Sequence, residues 1–445
     1  MKINQTTKIG IWGFGLVGQS LFKYLTKHGY TNLLIFDTKD ITILAGCQLA
    51  PSLDFLLNSC DYIFPSPGID LDPYQVYHTK FIAELDLFAQ NWHNPIIAIT
   101  GSIGKTTLTT LLANTLDQAG IKTIAAGNVG LPMCDIVDSD YEKVVLELSS
   151  FQLELAQNFA PDLAIWTNLY PNHLDRHKTI QRYLLAKANI FLRQSCKQIV
   201  LLPLSLLPDL MNLDFKSQLY VFGEVSELSL LDRLPVNFKA KILGSFVIQG
   251  QQVWLLKPDA KIKIGVLDQF KNINTYQINL LILLVVSYLL KIKLPKNLVF
   301  KPIAHRLELF YTSPSGIVFY NDSKSTVAQS TLAAVQKLAA GPIILFLGGL
   351  SKGVDRTSLI KNLVGKVKII ICFGAEASSL GQMCQAKSIP SAEFLNLPMA
   401  LDYCAQIAKP GDQVLFSPAG SSFDLFRDYM QRGEEFKKLV LLTYA

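Results

Sequence analysis

Two stretches of this 445-residue sequence carry residue types suited to phosphate chemistry. The first reads IIAITGSIGKTT from Ile96 to Thr107. An apolar, strand-like run leads into Gly101, Ser102 and Gly104, and Lys105, Thr106 and Thr107 open a helix. Glycines let a backbone wrap closely around phosphate oxygens, and the N–H groups at a helix start attract an anion. Lys105 adds a point charge, and the Thr106 hydroxyl can ligate Mg²⁺ beside a triphosphate. Ile99 stands where a full Walker A pattern has its first glycine, so the match is to a shortened G-x-x-G-K-T-T loop. The plain alternative is an ordinary glycine turn before a helix.

The second stretch, VVLELSSFQLE, runs from Val144 to Glu154. Glu147 ends its apolar strand and so lies at the carboxyl edge of a sheet, where α/β proteins bind ligands and a carboxylate can hold Mg²⁺. The next strand, Leu163 to Thr167, leads through Asn168 to PNHLDRH. This places His173 at the same edge as Glu147 and Lys105. Farther on, Lys187 sits in the helical stretch YLLAK. An unmodified lysine beside Mg²⁺ is repelled, but one with a lowered pKa can take up CO₂ and become an anionic carbamate. Taken singly, His173 reads as a structural or surface histidine and Lys187 as a solvated helix face. Only beside the phosphate loop do they become candidate ligands.

A second glycine turn, Gly13-Phe14-Gly15-Leu16-Val17-Gly18, follows a strand and opens a helix, and Asp37 ends the next strand. This is the dinucleotide fingerprint in its expected context. It fits NAD, any other diphosphate on a helix N-terminus, or a purely structural turn.

The elements that must position these groups alternate between strand-like runs and helix-length segments, the pattern of α/β folds with parallel sheets. Three units are expected: 1–93, 94–301 and 302–445. The first and third read as Rossmann-like, and the middle one as a P-loop-type ATPase unit with a mainly parallel sheet. Residues 205–270 are mixed and hard to read. The apolar run Ile278 to Leu290 is too short to span a bilayer, which takes about 20 apolar residues, and reads as a core helix. The N-terminus has no apolar signal core. Half of the residues are hydrophobic and the net charge is a mild +6. No Lys/Arg run looks like a nucleic-acid arm. Seven cysteines without a C-x-x-C pair argue against a disulfide framework and a zinc ribbon, and suit a reducing compartment.

Beside GSIGKTT, ELSSFQLE, NHLDRH and YLLAK, three further blocks complete the pattern: HRLE (His305 to Glu308), NDSKST (Asn321 to Thr326) and SPAGSSFDLFRDYMQRGEEF (Ser417 to Phe436). In this order the blocks resemble the Mur ligases of peptidoglycan assembly, over nearly the whole chain. ELSSFQLE and the C-terminal block resemble the branch that adds D-glutamate.

The resemblance implies a cytoplasmic, monomeric, three-domain ligase that uses ATP and two Mg²⁺ to join D-glutamate to UDP-N-acetylmuramoyl-L-alanine through an acyl phosphate, with no nucleic-acid partner and no membrane span. It implies that Gly101, Ser102, Gly104, Lys105, Thr106, Thr107, Asn279, Arg306, Asp322 and Lys324 serve ATP. Thr106, Glu147, His173 and a carbamylated Lys187 would serve metal, and Lys105, Glu147, His173 and Lys187 would form the catalytic set. Gly15, Leu16, Val17, Asp37, Thr38, Lys39, Gly68, Asn128 and Ser149 would serve the UDP-linked substrate. Thr326, Lys352, Ser422, Phe423 and Tyr429 would serve D-glutamate.

Departures from the family pattern are Ile103 in place of Asn, Thr275-Tyr276 in place of His-Asn, and the run Gly348-Gly349-Leu350-Ser351-Lys352, which lacks the family's usual Asp. The rival readings are another amide ligase, such as a folate-polyglutamate enzyme, an NAD-linked oxidoreductase, and a non-catalytic nucleotide binder.

Overall fold

Runs such as Ile96–Thr100 and Ile343–Gly348 are buried on both faces along their whole length. Near-continuous apolar strands of this kind belong inside parallel sheets covered by helices on both sides. The computed structural model describes residues 4–41, 47–270, 273, 275–295, 297–300, 303–338, 341–351 and 353–444, and it forms three such sheets.

The first sheet holds β1 (Ile9–Trp12), β2 (Leu33–Phe36), β3 (Gln48–Leu49) and β4 (Tyr62–Pro65) in the order β3-β2-β1-β4, all parallel. The second sheet has nine strands. They are β5 (Ile96–Thr100), β6 (Thr123–Gly127), β7 (Lys143–Glu147), β8 (Leu163–Trp166), β9 (Ile199–Pro203), β10 (Gln218–Glu224), β11 (Ile242–Gln249), β12 (Gln252–Lys257) and β13 (Ala260–Val266). Their order is β13-β12-β11-β10-β9-β8-β5-β7-β6. The hard-to-read stretch before residue 270 thus extends this sheet, and its last two strands run antiparallel. Its alternation was obscured because β13 is exposed along its first half.

The third sheet comprises β14 (Glu308–Thr312), β15 (Val318–Asn321), β16 (Ile343–Gly348), β17 (Ile369–Phe373), β18 (Ser391–Phe394) and β19 (Gln413–Phe416) in the order β14-β15-β19-β16-β17-β18. Only β14 is antiparallel to its neighbour. The α/β class with mainly parallel sheets therefore holds throughout.

By compactness the chain divides into two bodies: Met1–Leu169 with Gln181–Phe300, and Tyr170–Ile180 with Lys301–Ala445. Within the first body, the N-terminal sheet is tied to the nine-stranded one by Ser20 Oγ donating to Asp135 Oδ1 at 2.6 Å and by Lys27 to Asp138 at 2.6 Å. The expected boundary at Lys301-Pro302 lies outside the described residues. The apolar run near Ile278 forms the helix Gln277–Leu289, buried over most of its surface beneath the second sheet. Before the second sheet, 3₁₀ turns at Asp72–Lys80 are followed by an α-helix, Glu84–Asn91. Among the described residues no helix is long and apolar enough to cross a membrane, and all seven cysteines are free.

Candidate active site

The phosphate-loop residues sit where β5 ends. Gly101 and Gly104 both have positive φ, 151° and 82°. A Cβ on Gly101 would lie 2.0 Å from Thr167 Oγ1, so no larger residue fits there. Gly104 caps the helix Lys105–Gln118, which has neither a side-chain cap nor an acidic residue in its first turn. An uncapped helix start with no negative charge is the polarity that an anion needs. Thr106 and Ser102 are buried, while Lys105 and Thr107 are half-buried. Asn279, the third residue of the helix Gln277–Leu289, reaches the loop: its Oδ1 lies 4.0 Å from where a Cβ on Gly104 would be.

Glu147 is brought beside this loop by strand pairing. β7 runs parallel to β5 with Glu147 opposite Ile99, so the carboxylate emerges at the level of the loop's first residues. It is 2 % exposed, and its Oε1 accepts from Asn128 Nδ2 at 2.7 Å. Asn128, expected to meet the muramoyl group, thus fixes the carboxylate, and its N–H also donates to the Glu147 carbonyl. The rest of the ELSSFQLE block is a helix start. Ser149 caps Ser150–Glu154 in a reciprocal capping box with Gln152.

Lys187 is not a solvated helix face. It is 1 % exposed, and its Nζ donates to Gly101 O at 2.9 Å and to Thr100 Oγ1 at 3.3 Å. Lys105 Nζ donates to the same Gly101 carbonyl, also at 2.9 Å. Two lysine amino groups therefore share one oxygen. Burial pushes the Lys187 pKa well below the ordinary lysine value, and the Lys105 charge pushes it further down, while Glu147 pulls the other way. Burying a charge costs several kcal/mol, which shifts the balance toward the neutral amine. A neutral amine is what reaction with CO₂ requires. Tyr183 braces the group: Lys187 Nζ lies 4.6 Å from its ring centre, and its hydroxyl shares a 3.2 Å hydrogen bond with Ser102 Oγ.

His173 belongs to the other body, within Tyr170–Ile180. It adopts a left-handed φ of 55° at the head of the short helix Leu174–His177, and its N–H donates to Asn172 Oδ1. Among the described residues no group of three or more His, Cys, Asp and Glu side chains could hold a metal ion. That does not conflict with Mg²⁺, which is usually bound by one or two carboxylates together with substrate phosphates and waters. Glu147 and Thr106 are hard oxygen donors of this kind, and a carbamate on Lys187 would add a second anion, so the residues present fit the ion.

At the N-terminal turn, the helix Leu16–Lys27 also starts without a side-chain cap or an acidic first turn, and Leu16 is exposed. Asp37 Oδ2 accepts from Phe14 N at 2.6 Å, and Oδ1 accepts from Lys39 N at 3.0 Å. Burial pushes the Asp37 pKa up, but the amides of Phe14, Lys39 and Thr38 outweigh it and hold the carboxyl below its ordinary value. Asp37 thus shapes the glycine turn itself. Gly15 and Gly68 both have open space where a side chain would be.

In the second body, HRLE and NDSKST meet. Asp322 is buried; its Oδ1 accepts from Leu307 N at 3.0 Å and its Oδ2 from Ser417 Oγ at 2.8 Å. Burial raises its pKa to about 6, partly offset by the Arg306 charge and these donors. Lys324 Nζ lies 5.2 Å from the Tyr429 ring centre. Ser422 is buried, Thr326 is half-buried and Phe423 is 70 % exposed. Lys352 lies outside the described residues. Arg432, fully buried, lies in the C-terminal block but has no role assigned from the sequence. Its guanidinium donates to Ser323 O and Oγ at 2.7 and 3.1 Å and to Gly420 O at 3.0 Å. It thereby joins the loop bearing Asp322 and Lys324 to the loop bearing Ser422. The Arg-Gly pair is part of that block, but nothing in its spelling shows that the arginine is buried.

The comparisons with known proteins bear on the same chemistry. Residues 99–224, which span the phosphate loop, Glu147 and Lys187, match the Mur ligase middle domain. A UDP-N-acetylmuramoylalanine–D-glutamate ligase from Desulfotalea psychrophila is 31 % identical, over 99 % of this chain and 97 % of the relative.

The chain belongs to the Mur ligase family.

The relative of the same name from Caldanaerobacter subterraneus is 30 % identical over 98 % of both chains. Among solved structures, the Mur ligase fold is shared with MurF ligase from Thermotoga maritima in complex with ADP. It has a TM-score of 0.55 at 14 % identity, covering 97 % of this chain and 93 % of that one. FolC from E. coli in complex with ADP has a TM-score of 0.54 at 13 % identity, covering 85 % of this chain and 99 % of that one.

Proposed function

We propose that this Mur ligase adds D-glutamate to UDP-N-acetylmuramoyl-L-alanine with ATP, forming ADP and phosphate in cytoplasmic peptidoglycan precursor synthesis. The observation that carries the reading is the convergence of Lys105, Lys187 and Glu147 on the end of β5, at the loop built for phosphate. The full-length relatives named for D-glutamate addition support the choice of acceptor. ADP in the MurF and FolC structures supports the nucleotide. The domain bounds 1–93, 94–301 and 302–445 are retained as the UDP, ATP and amino-acid units.

In this reading the amides at the start of the helix Lys105–Gln118 and Lys105 itself bind the ATP phosphates. Asn279 lies against the loop, and Arg306, Asp322 and Lys324 are retained as nucleotide residues. The substrate carboxylate attacks the γ-phosphorus, giving an acyl phosphate and ADP. The D-glutamate amine then attacks the acyl carbon, loses a proton, and expels phosphate to leave the amide. The protein supplies positioning and electrostatic stabilisation. Thr106, Glu147, His173 and carbamylated Lys187 would hold two Mg²⁺, which supply neutralisation of the charge that develops on the transferring phosphoryl group. Lys187 reaches the carbamate when its neutral amine adds to CO₂ and releases one proton. The N-terminal glycine turn, with Asp37, Thr38, Lys39 and Gly68, takes UDP. Thr326, Lys352, Ser422, Phe423 and Tyr429 take D-glutamate.

The test is phosphate release with ATP, UDP-N-acetylmuramoyl-L-alanine and D-glutamate, omitting each in turn. Release should require all three. Equal release with L-lysine in place of D-glutamate would point to a different amide ligase and overturn the acceptor.

A further inference from the structure

Asn168 stands two residues beyond β8, and its side chain is spent on the phosphate loop. Oδ1 accepts from Ser102 N at 3.1 Å and from Ile103 N at 2.9 Å, and Nδ2 donates to Ile103 O at 3.1 Å. Its backbone carbonyl accepts from Ser102 N as well, at 3.1 Å, and from Trp166 Nε1 at 3.0 Å. The preceding Thr167 Oγ1 lies 2.9 Å from Ile103 O and 3.3 Å from Thr100 O. A carboxamide offers two acceptor sites and two donors. Three of these four positions of Asn168 are committed to two consecutive loop residues. The apolar side chain of Ile103 cannot hydrogen-bond to its own loop, so a neighbouring strand end holds the loop instead.

This geometry also divides the loop's amides. Those of Ser102 and Ile103 are aimed at Asn168. The first intrahelical bond runs from Leu108 N to Gly104 O at 3.0 Å. The amides between these two points belong to the helix start, whose polarity suits an anion.

We propose that Asn168 is a positioning residue for the nucleotide. It takes up the amides of residues 102 and 103 and fixes the loop in its binding shape before ATP arrives, and the phosphates are received by the amides from Gly104 onward and by Lys105. Such preorganisation raises affinity by removing the cost of ordering the loop on binding. The inference rests on the reading of this loop as the ATP site, and the experiment separates the two.

The experiment is hydrogen exchange and ADP titration, with Mg²⁺ present, on the full chain and on Asn168→Ala. In the wild-type protein without nucleotide, the amides of residues 102 and 103 should exchange slowly. Added ADP should protect residues 104–107 and leave 102 and 103 unchanged. In Asn168→Ala, residues 102 and 103 should exchange fast and ADP affinity should fall about tenfold, equivalent to ~1.4 kcal/mol. KM for D-glutamate should stay within about twofold, which general loosening of the fold would not spare. Fast exchange at 102 and 103 in the free wild-type protein, or their protection only on adding ADP, would overturn the inference without any variant. Wild-type affinity retained in a folded Asn168→Ala protein would overturn it too. Failure of the wild-type protein to bind ADP would instead remove the ATP reading.

Discussion

Asp322→Asn is the substitution whose consequence can be worked furthest from the structure. The Asp322 carboxyl is buried, with Leu307 N and Ser417 Oγ donating to its two oxygens. Burial lifts its pKa from the ordinary 3.8 to about 6. The native chain therefore keeps this proton at pH values where the unfolded chain has lost it. The stabilisation from the neutral form is fully present below 3.8 and is lost as pH rises to about 6. At about 1.4 kcal/mol per pH unit, that gap amounts to about 3 kcal/mol. An asparagine keeps an acceptor for Leu307 N, and its amide can donate to Ser417 Oγ, whose single hydrogen is then released to Thr331 Oγ1, 2.9 Å away. Urea denaturation of both proteins across this range should show the variant gaining up to about 3 kcal/mol relative to wild type as pH climbs, with no further gain above about pH 7. Activity should move the other way. If the ionised carboxylate serves ATP, wild-type turnover should rise through pH 6, and the variant should lack that limb. Parallel stability curves for the two proteins, with the activity limb intact in the variant, would refute the assignment of a titrating buried carboxyl.

Other substitutions test other parts of the site. Gly101→Ala should abolish ADP binding in a calorimetric titration, because its Cβ would meet Thr167 Oγ1 at 2.0 Å from a φ of 151°; binding within about twofold of wild type would show that the loop adapts. Lys187→Ala should lose most phosphate release and regain part of it with added short carboxylates, whereas full activity without them would end the carbamate assignment. Arg432→Met removes three buried donor contacts from the Ser323 and Gly420 loops. It should cost about 2–4 kcal/mol of stability by urea denaturation, and a loss under ~0.5 kcal/mol would mean that the loops hold without it.

Much of the site was legible because its parts are local. The glycine spacing, the lysine and the helix-opening threonines of residues 101–107 occupy a single turn, and so do Ser149 and Gln152 of the capping box. Strand periodicity placed β5, β7 and β8 well enough to put Glu147 at a sheet edge. The antiparallel strands β12 and β13 were not legible. Neither was the assignment of Tyr170–Ile180, which carries His173, to the second body.

By itself, the sequence determined the class of fold, the phosphate loop and the family, since each follows from residue type at short spacing. Only the tertiary structure decided what the charges do. Lys187 becomes a depressed amine because packing buries it, and the Lys105 charge at the same Gly101 carbonyl adds to the effect. Asn128 turns toward Glu147, and Asn168 claims the loop amides, because parallel strands bring residues 19 to 66 positions apart to one edge. Spacing along a chain sets what a turn can do, but ionisation and hydrogen-bond choice depend on burial and on neighbours that only packing supplies.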